Sequence, residues 1–154
     1  MDDYEKIIDA LRYGRQTQIE SGNLNQWDEN FPDPQIVKAD IRSGSAYLCL
    51  DSDNHLLAVF SLLREVEPNY QEIEGQWLNN QSYVTIHRIA STGKEKGVGQ
   101  YCLEWVQEQY DNIRIDTHED NQAMQYLLRK LNFQPVGIIH LQNGDPRDAF
   151  HYVK

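Results

Sequence analysis

Cysteine is scarce in this chain: Cys49 and Cys102 are the only two among 154 residues, and each sits inside an apolar run rather than at metal-ligand spacing. With no charged-then-apolar leader at the start, that usage points to a reduced, cytoplasmic setting. Long hydrophobic runs are also missing. The longest, Ser45 to Leu50 and Leu56 to Leu63, are far too short to span a bilayer. Basic charge is in deficit, with 14 Lys and Arg against 24 Asp and Glu for a formal charge of -10. Such a surface repels nucleic acid and anionic membrane, so neither is expected as a partner. No His, Cys or acidic pair keeps a convincing metal spacing, since His118, Glu119 and Asp120 are consecutive in a loop, and no metal is expected. Repeats, linkers and low-complexity tracts are absent from the sequence.

What remains is a chain of one-domain size, residues 1–154, whose 40% hydrophobic content can fill a core without staples. Against its acidic whole, Lys94 and Lys96 form a local basic cluster in a glycine-containing loop. The segment from Thr85 to Gln100 reads as a strand (Ser82 to Ala90), a loop with Gly93, Gly97 and Gly99, and a helix marked by Val98, Cys102, Trp105, Val106 and Gln109. Small residues let backbone N–H groups face an anion, and the first turn of the next helix adds its unpaired amides. Three phosphate loops fit that description. The P-loop is excluded because no Gly-x4-Gly-Lys-Ser/Thr ending is present. The dinucleotide fingerprint fits poorly, with Cys102 at the third glycine and six residues between Ala90 and Gly97.

Elsewhere, a first helix starts among the acids at Asp2 to Glu5 and ends near Gly22. Pro34 to Ser43 reads as a second short helix. Ser45 to Asp51 and His55 to Leu63 form a hairpin around Asp51 to Asn54, and Glu65 to Gln81 is polar and irregular. After the loop helix come a strand at Asn112 to Thr117, a polar turn at His118 to Asn121, and a helix carrying Ala123, Met124, Leu127, Leu128 and Leu131. Two strands, Gln134 to Leu141 and Asp148 to Val153, flank an Asn143-Gly144 turn.

The third loop is that of the GNAT acyltransferase superfamily, whose Gln/Arg-x-x-Gly-x-Gly/Ala pattern the segment Lys94-Glu95-Lys96-Gly97-Val98-Gly99 resembles. Lys94 departs from it by keeping charge without the planar fork. Downstream, Asn121, the helix and Asn132-Phe133 resemble the family's Asn, helix and Gly-Phe, with Asn tolerating the left-handed backbone in place of Gly. The resemblance spans Tyr83 to Phe133. The stretch Gly22 to Trp27 with Phe31-Pro32 is similar to a bacterial subgroup that carries His-Arg-Ile-Ala, here His87 to Ala90. It implies an α/β fold, a mixed sheet whose two central parallel strands splay to admit pantetheine, and acetyl-CoA as cosubstrate. The residues it assigns to coenzyme A are Ile89, Ala90, Ser91, Lys94, Glu95, Lys96, Gly97, Val98, Gly99, Gln100, Asn121 and Leu128. The family's first strand precedes its first helix, whereas this chain begins at that helix. Either the sheet is one strand short or the start lies downstream of the ancestral one.

Acyl transfer needs a base, an oxyanion donor and an exit for the thiolate. Strand alternation puts Tyr83, Thr85, His87 and Ile89 on one face, so His87 is a candidate base or backbone oxyanion donor, its reference pKa of about 6.5 suiting proton work. The other reading is an imidazole satisfied by a neighbouring carbonyl. Glu72 and Glu74 lie where a substrate loop would run, but exposed acids are ordinarily solvated. The family's Tyr, seven residues after its Asn, is Leu128 here. Tyr126 lies about 200° away around the helix, and Tyr152 is unplaced by sequence. Cys102 reads as core. The expected function is N-acetyl transfer from acetyl-CoA to a small-molecule or peptide amine, by a monomer or homodimer. A non-catalytic acyl-CoA binding or sensing module is the alternative, and a nucleotide-binding protein is a third class that lacks its required residues.

Overall fold

The first helix, α1 (Asp3–Glu20), is capped by Asp2, whose side chain accepts the Glu5 N–H, and it buries Ile7, Ile8 and Leu11 at helical spacing. The computed structural model describes residues 2–154. Asp33 caps α2 (Pro34–Arg42), with Pro34 at the position where a missing N–H costs nothing. A hairpin follows, β1 (Ala46–Leu50) and β2 (Leu56–Leu63), and then an irregular segment holding a short turn at 68–70 and the two-residue β3 (Glu74–Gly75). The remainder is β4 (Val84–Ser91), α3 (Val98–Gln109), β5 (Asn112–Thr117), α4 (Gln122–Lys130), β6 (Gln134–His140) and β7 (Pro146–Val153).

These strands form one mixed sheet of seven in the order β1-β2-β4-β5-β7-β6-β3. All neighbours are antiparallel except β4 and β5, which run parallel. That pair is joined only at Val84 with Ile113 and Thr85 with Arg114, after which the strands part. The expected mixed α/β fold with splayed central strands is therefore present. Among the described residues, no strand precedes α1, and β1 and β3 form the two edges.

Two apolar clusters separate the sides of the sheet. Ile7, Ile8 and Leu11 of α1 and Val37 of α2 pack with Val59 and Ala90, while α3 and α4 cover a larger core around Leu62, Ile86, Leu103 and Phe133. Gly14 sets the closeness of α1 to β4, because a Cβ there would stand 2.7 Å from that of Ala90.

Leu128 corrects one expectation. It does not face a ligand but lies fully buried in the larger core with Val106 and Phe133. The seven-residue spacing misleads because Asn121 is the cap, with non-helical backbone (φ -84°, ψ 75°), so its direction is not set by the rotation of α4. Leu128→Ala should then cost about 2–5 kcal/mol in urea unfolding, the usual range for emptying a packed site. A loss below about 1 kcal/mol would mean that the side chain does face open space.

Candidate functional site

Where β4 and β5 part, a cleft of about 690 Å³ opens, walled by Ile86 to Ile89 on β4, by Ile115 to Thr117 on β5, and by the loop carrying Gln26, Trp27 and Phe31. Its shape depends on an irregularity in β4. Opposite β2, Val59 pairs with Ala90 but Ser61 with His87, so β4 carries one extra residue, and Arg88 sits there at a left-handed φ of 52°. A non-glycine residue in that region costs energy and persists only when its surroundings hold it. The hold is Asp40 of α2, whose Oδ2 accepts from Arg88 Nε at 3.1 Å, from Arg88 Nη2 at 2.7 Å and from Ser61 Oγ at 2.6 Å. A bulge shifts strand alternation by one. His87 accordingly stays beside Tyr70, ring centroids 6.3 Å apart, whereas Ile89 packs against the larger core with Ile86. The expected common face of Tyr83, His87 and Ile89 is broken at that point.

In the cleft, His87 Nε2 lies 2.9 Å from Glu67 Oε2. Glu67 Oε1 accepts the Asn69 N–H at 3.1 Å, and its own N–H donates to the Tyr83 hydroxyl at 3.0 Å. The bond from His87 holds the Glu67 carboxyl below the usual carboxylate range, outweighing the rise that burial imposes. An ionised carboxylate only accepts, so Nε2 donates in this pair, while Nδ1 makes no hydrogen bond among the described residues. Nearby, Asp116 Oδ2 accepts from the buried Tyr70 hydroxyl at 2.6 Å. Gln26 Oε1 gathers the Asn121 side-chain amide at 3.0 Å and the Asn23 amide at 3.1 Å, fixing the loop against the head of α4.

Beyond β4, Thr92 ties the loop back to β2 through its N–H to Leu57 O at 2.9 Å. Gly97 turns the chain at φ 78° and caps α3 with no side-chain acceptor. Tyr101 N–H is the first to find a helical partner, Gly97 O at 3.0 Å, so the amides of Val98, Gly99 and Gln100 are left for another acceptor. Lys94, Glu95 and Lys96 are exposed, and neither lysine forms an ion pair among the described residues. Lys130 of α4 adds a cation here, its Nζ donating to Gln100 Oε1 at 3.0 Å.

The structure thus brings His87, Ile89 and Asn121 to the cleft and gathers residues 94–100 at the head of α3. Ser91 ends β4 half-buried. The side chain of Ala90 turns toward α1 and that of Val98 into the core. Glu72 and Glu74 are not brought in: both are exposed, Glu74 lies 3.6 Å from His140 Nε2, and neither lines the cleft. Sequence reasoning did not assign Glu67, Asp116, Arg147, Gln26 and Met124 to the site, although all five line the cleft. Only the Glu67-Pro68-Asn69 turn signal hinted that a side chain would be fixed there. One grouping was also unforeseen, since Asp51, Asp53 and His55 offer ligand atoms within 4.8 Å of one another. They are the hairpin turn closing on itself, with Asp51 Oδ1 accepting the Asp53 and His55 N–H groups at 2.8 and 2.9 Å.

An acetyltransferase of the GNAT family from Streptococcus agalactiae superposes on this chain with a TM-score of 0.87 at 29% identity, over 99% of this chain and 90% of that one. A GNAT-family acetyltransferase from Listeria monocytogenes gives 0.73 at 17% identity, over 99% and 90% of the two chains. A Bacillus subtilis acetyltransferase in complex with CoA gives 0.57 at 21% identity, over 80% and 86%. No family model and no curated protein matches the sequence. In its fold, its loop and its likeness to the first of these structures, the chain resembles the GNAT superfamily of acyltransferases. None of its helices is long and apolar enough to cross a membrane, among the described residues.

The Glu67 pair has a pH signature. A carboxyl depressed in the fold contributes stability that is complete above its unfolded pKa of about 4.3 and is lost as pH falls through the lower folded value. Glu67→Gln should therefore lower Tm at pH 7 and lose less Tm than wild type between pH 5 and pH 3. Parallel acid profiles for the two proteins would show that Glu67 is not held as a paired carboxylate.

Proposed function

We propose that this chain is an N-acetyltransferase that moves an acetyl group from acetyl-CoA to the primary amine of a small molecule or peptide. The observation that carries this reading is a coincidence of place. The slot left where β4 and β5 part and the unpaired amides at the head of α3 stand at the same end of β4. A diphosphate accepts from amides and lysines, and an extended thiol arm needs a backbone-walled slot. Residues 94–100 suit the first, through the side chains of Lys94 and Lys96 and the amides from Gly97 to Gln100. Ile89, Ala90, Ser91 and Asn121 suit the second, Ala90 by its backbone only.

In the reaction, the amine lone pair attacks the thioester carbonyl carbon and the C–S bond then breaks, with no acyl-enzyme. His87 Nδ1 accepts the ammonium proton while Glu67 holds Nε2–H and stabilises the imidazolium. Amides of β4 left without a β5 partner are placed to receive the developing oxyanion. Glu67 is a positioning residue for His87 in this scheme. A reduced cytoplasmic setting agrees with the cysteine usage, and avoidance of nucleic acid agrees with the charge of -10.

The second reading, a binding or sensing module, draws on the missing phenol. Position 128 is a core Leu, and Tyr152 packs against Phe133 with tilted rings, centroids 5.4 Å apart, and does not line the cleft. Thiol release from acetyl-CoA against a panel of amines separates the two. The enzyme reading expects amine-dependent release, and His87→Ala should lower kcat about a hundredfold with little change in acetyl-CoA affinity. Lys94→Ala with Lys96→Ala should instead weaken acetyl-CoA binding by about tenfold at low salt, with kcat near wild type. Saturable binding with no release for any amine would favour the module.

A further inference from the structure

A second cavity, of about 400 Å³, opens at the other end of the parallel pair, between the start of β4 and the irregular segment before it. That volume lies within the range of small-molecule sites. In a chain with ten more acidic than basic residues, no acidic side chain lines it, whereas Arg64 and Arg114 both do.

Neither arginine forms an ion pair among the described residues. Arg114 is 6% exposed, its guanidinium lying 4.3 Å from the Trp77 ring centroid and 4.1 Å from that of Tyr83. Nη2 donates to the Asn79 carbonyl at 2.9 Å, but Nε is buried without a partner and Nη1 makes no hydrogen bond among the described residues. Arg64, at the rim, donates among the described residues only to the hydroxyls of Tyr110 and Tyr47, at 3.1 and 2.7 Å. A buried cation compensated by ring faces and one carbonyl is costly to keep, and Met or Leu would fill the gap between two rings without that cost. The charge itself is the feature left unexplained by packing.

We propose that this cavity binds a small carboxylate, taken up between Arg114 and Arg64. Planar guanidinium groups match carboxylate oxygens, and the walls of Tyr70, Trp77 and Tyr83 suit a flat body behind the anion. Phosphate is less well served, because no helix of eight residues or more begins at the cavity to offer unpaired amides. The segment 64–71 is a shared wall, supplying Arg64 and Tyr70 to this cavity and Glu67 and Asn69 to the cleft. Tyr83 joins the two sides, with its ring on Arg114 and its hydroxyl accepting the Glu67 N–H.

The test is an NMR titration of the whole chain that follows the Trp77 indole N–H and the Arg114 Nε–H, with benzoate, benzamide and inorganic phosphate as separate probes. Benzoate should give saturable shifts at both groups and bind at least about tenfold more tightly than benzamide, which has the same ring without the charge. Arg64→Gln, on an exposed side chain, should weaken benzoate by about fivefold or more while thermal unfolding stays near wild type. Arg114→Lys should remove the binding in a protein that still folds, and Arg64→Gln keeps the question answerable if it does not. Equal binding of benzamide, tighter binding of phosphate, an unchanged affinity in Arg64→Gln, or no saturable shift with benzoate would each overturn the assignment.

Discussion

Three hydrogen bonds converge on one oxygen of Asp40, and the usable geometry of the sheet depends on them. Arg88 stands at a backbone angle that costs a non-glycine residue of order 1–3 kcal/mol, and its guanidinium is held there by a carboxylate of α2 that also takes the Ser61 hydroxyl. The extra residue that this strain admits into β4 shifts the side-chain alternation halfway along the strand. His87 can thus meet Glu67 on one side while Ile89 closes the core on the other. Without the bulge, strict alternation would return His87 and Ile89 to one face and leave either the contact with Glu67 or the core unserved.

The same strand governs the ligand side. Because β4 pairs with β5 only at its first two residues, its later half has one hydrogen-bonding edge on β2 and the other facing a cleft. Directly beyond its end, Gly97 turns the chain into α3 without lending a capping side chain. Polar groups left unpaired in a folded chain need a partner from water or ligand. Here they are collected at one end of one strand, in a protein whose overall charge would otherwise repel an anion.

Local chemistry was legible in the sequence, and long-range pairing was not. The loop from Lys94 to Gly99, the helix after it and the Asn121 cap each write themselves in short-range terms, as glycine angles, helical spacing and a capping side chain. The strands were visible by alternation, although β3 was not, since two residues carry no period. Glu67 was invisible because its partner is twenty residues away and nothing in an irregular polar segment distinguishes a carboxylate that will be paired from the solvated Glu72 and Glu74 beside it. Leu128 went astray for a related reason, as a helical rotation was extended to a capping residue outside the helix. The bulge at Arg88 could not be foreseen either, for its cause, Asp40, lies 48 residues upstream.

The central claim is that the parting of β4 and β5 and the uncapped head of α3 together receive coenzyme A. A crystal structure of the chain grown with acetyl-CoA tests it most directly. The diphosphate should accept from the amides between Gly97 and Gln100, and the pantetheine arm should lie between β4 and β5 with the thioester beside His87. A complex with the diphosphate away from that helix end, or with the arm outside the parted strands, would contradict the account.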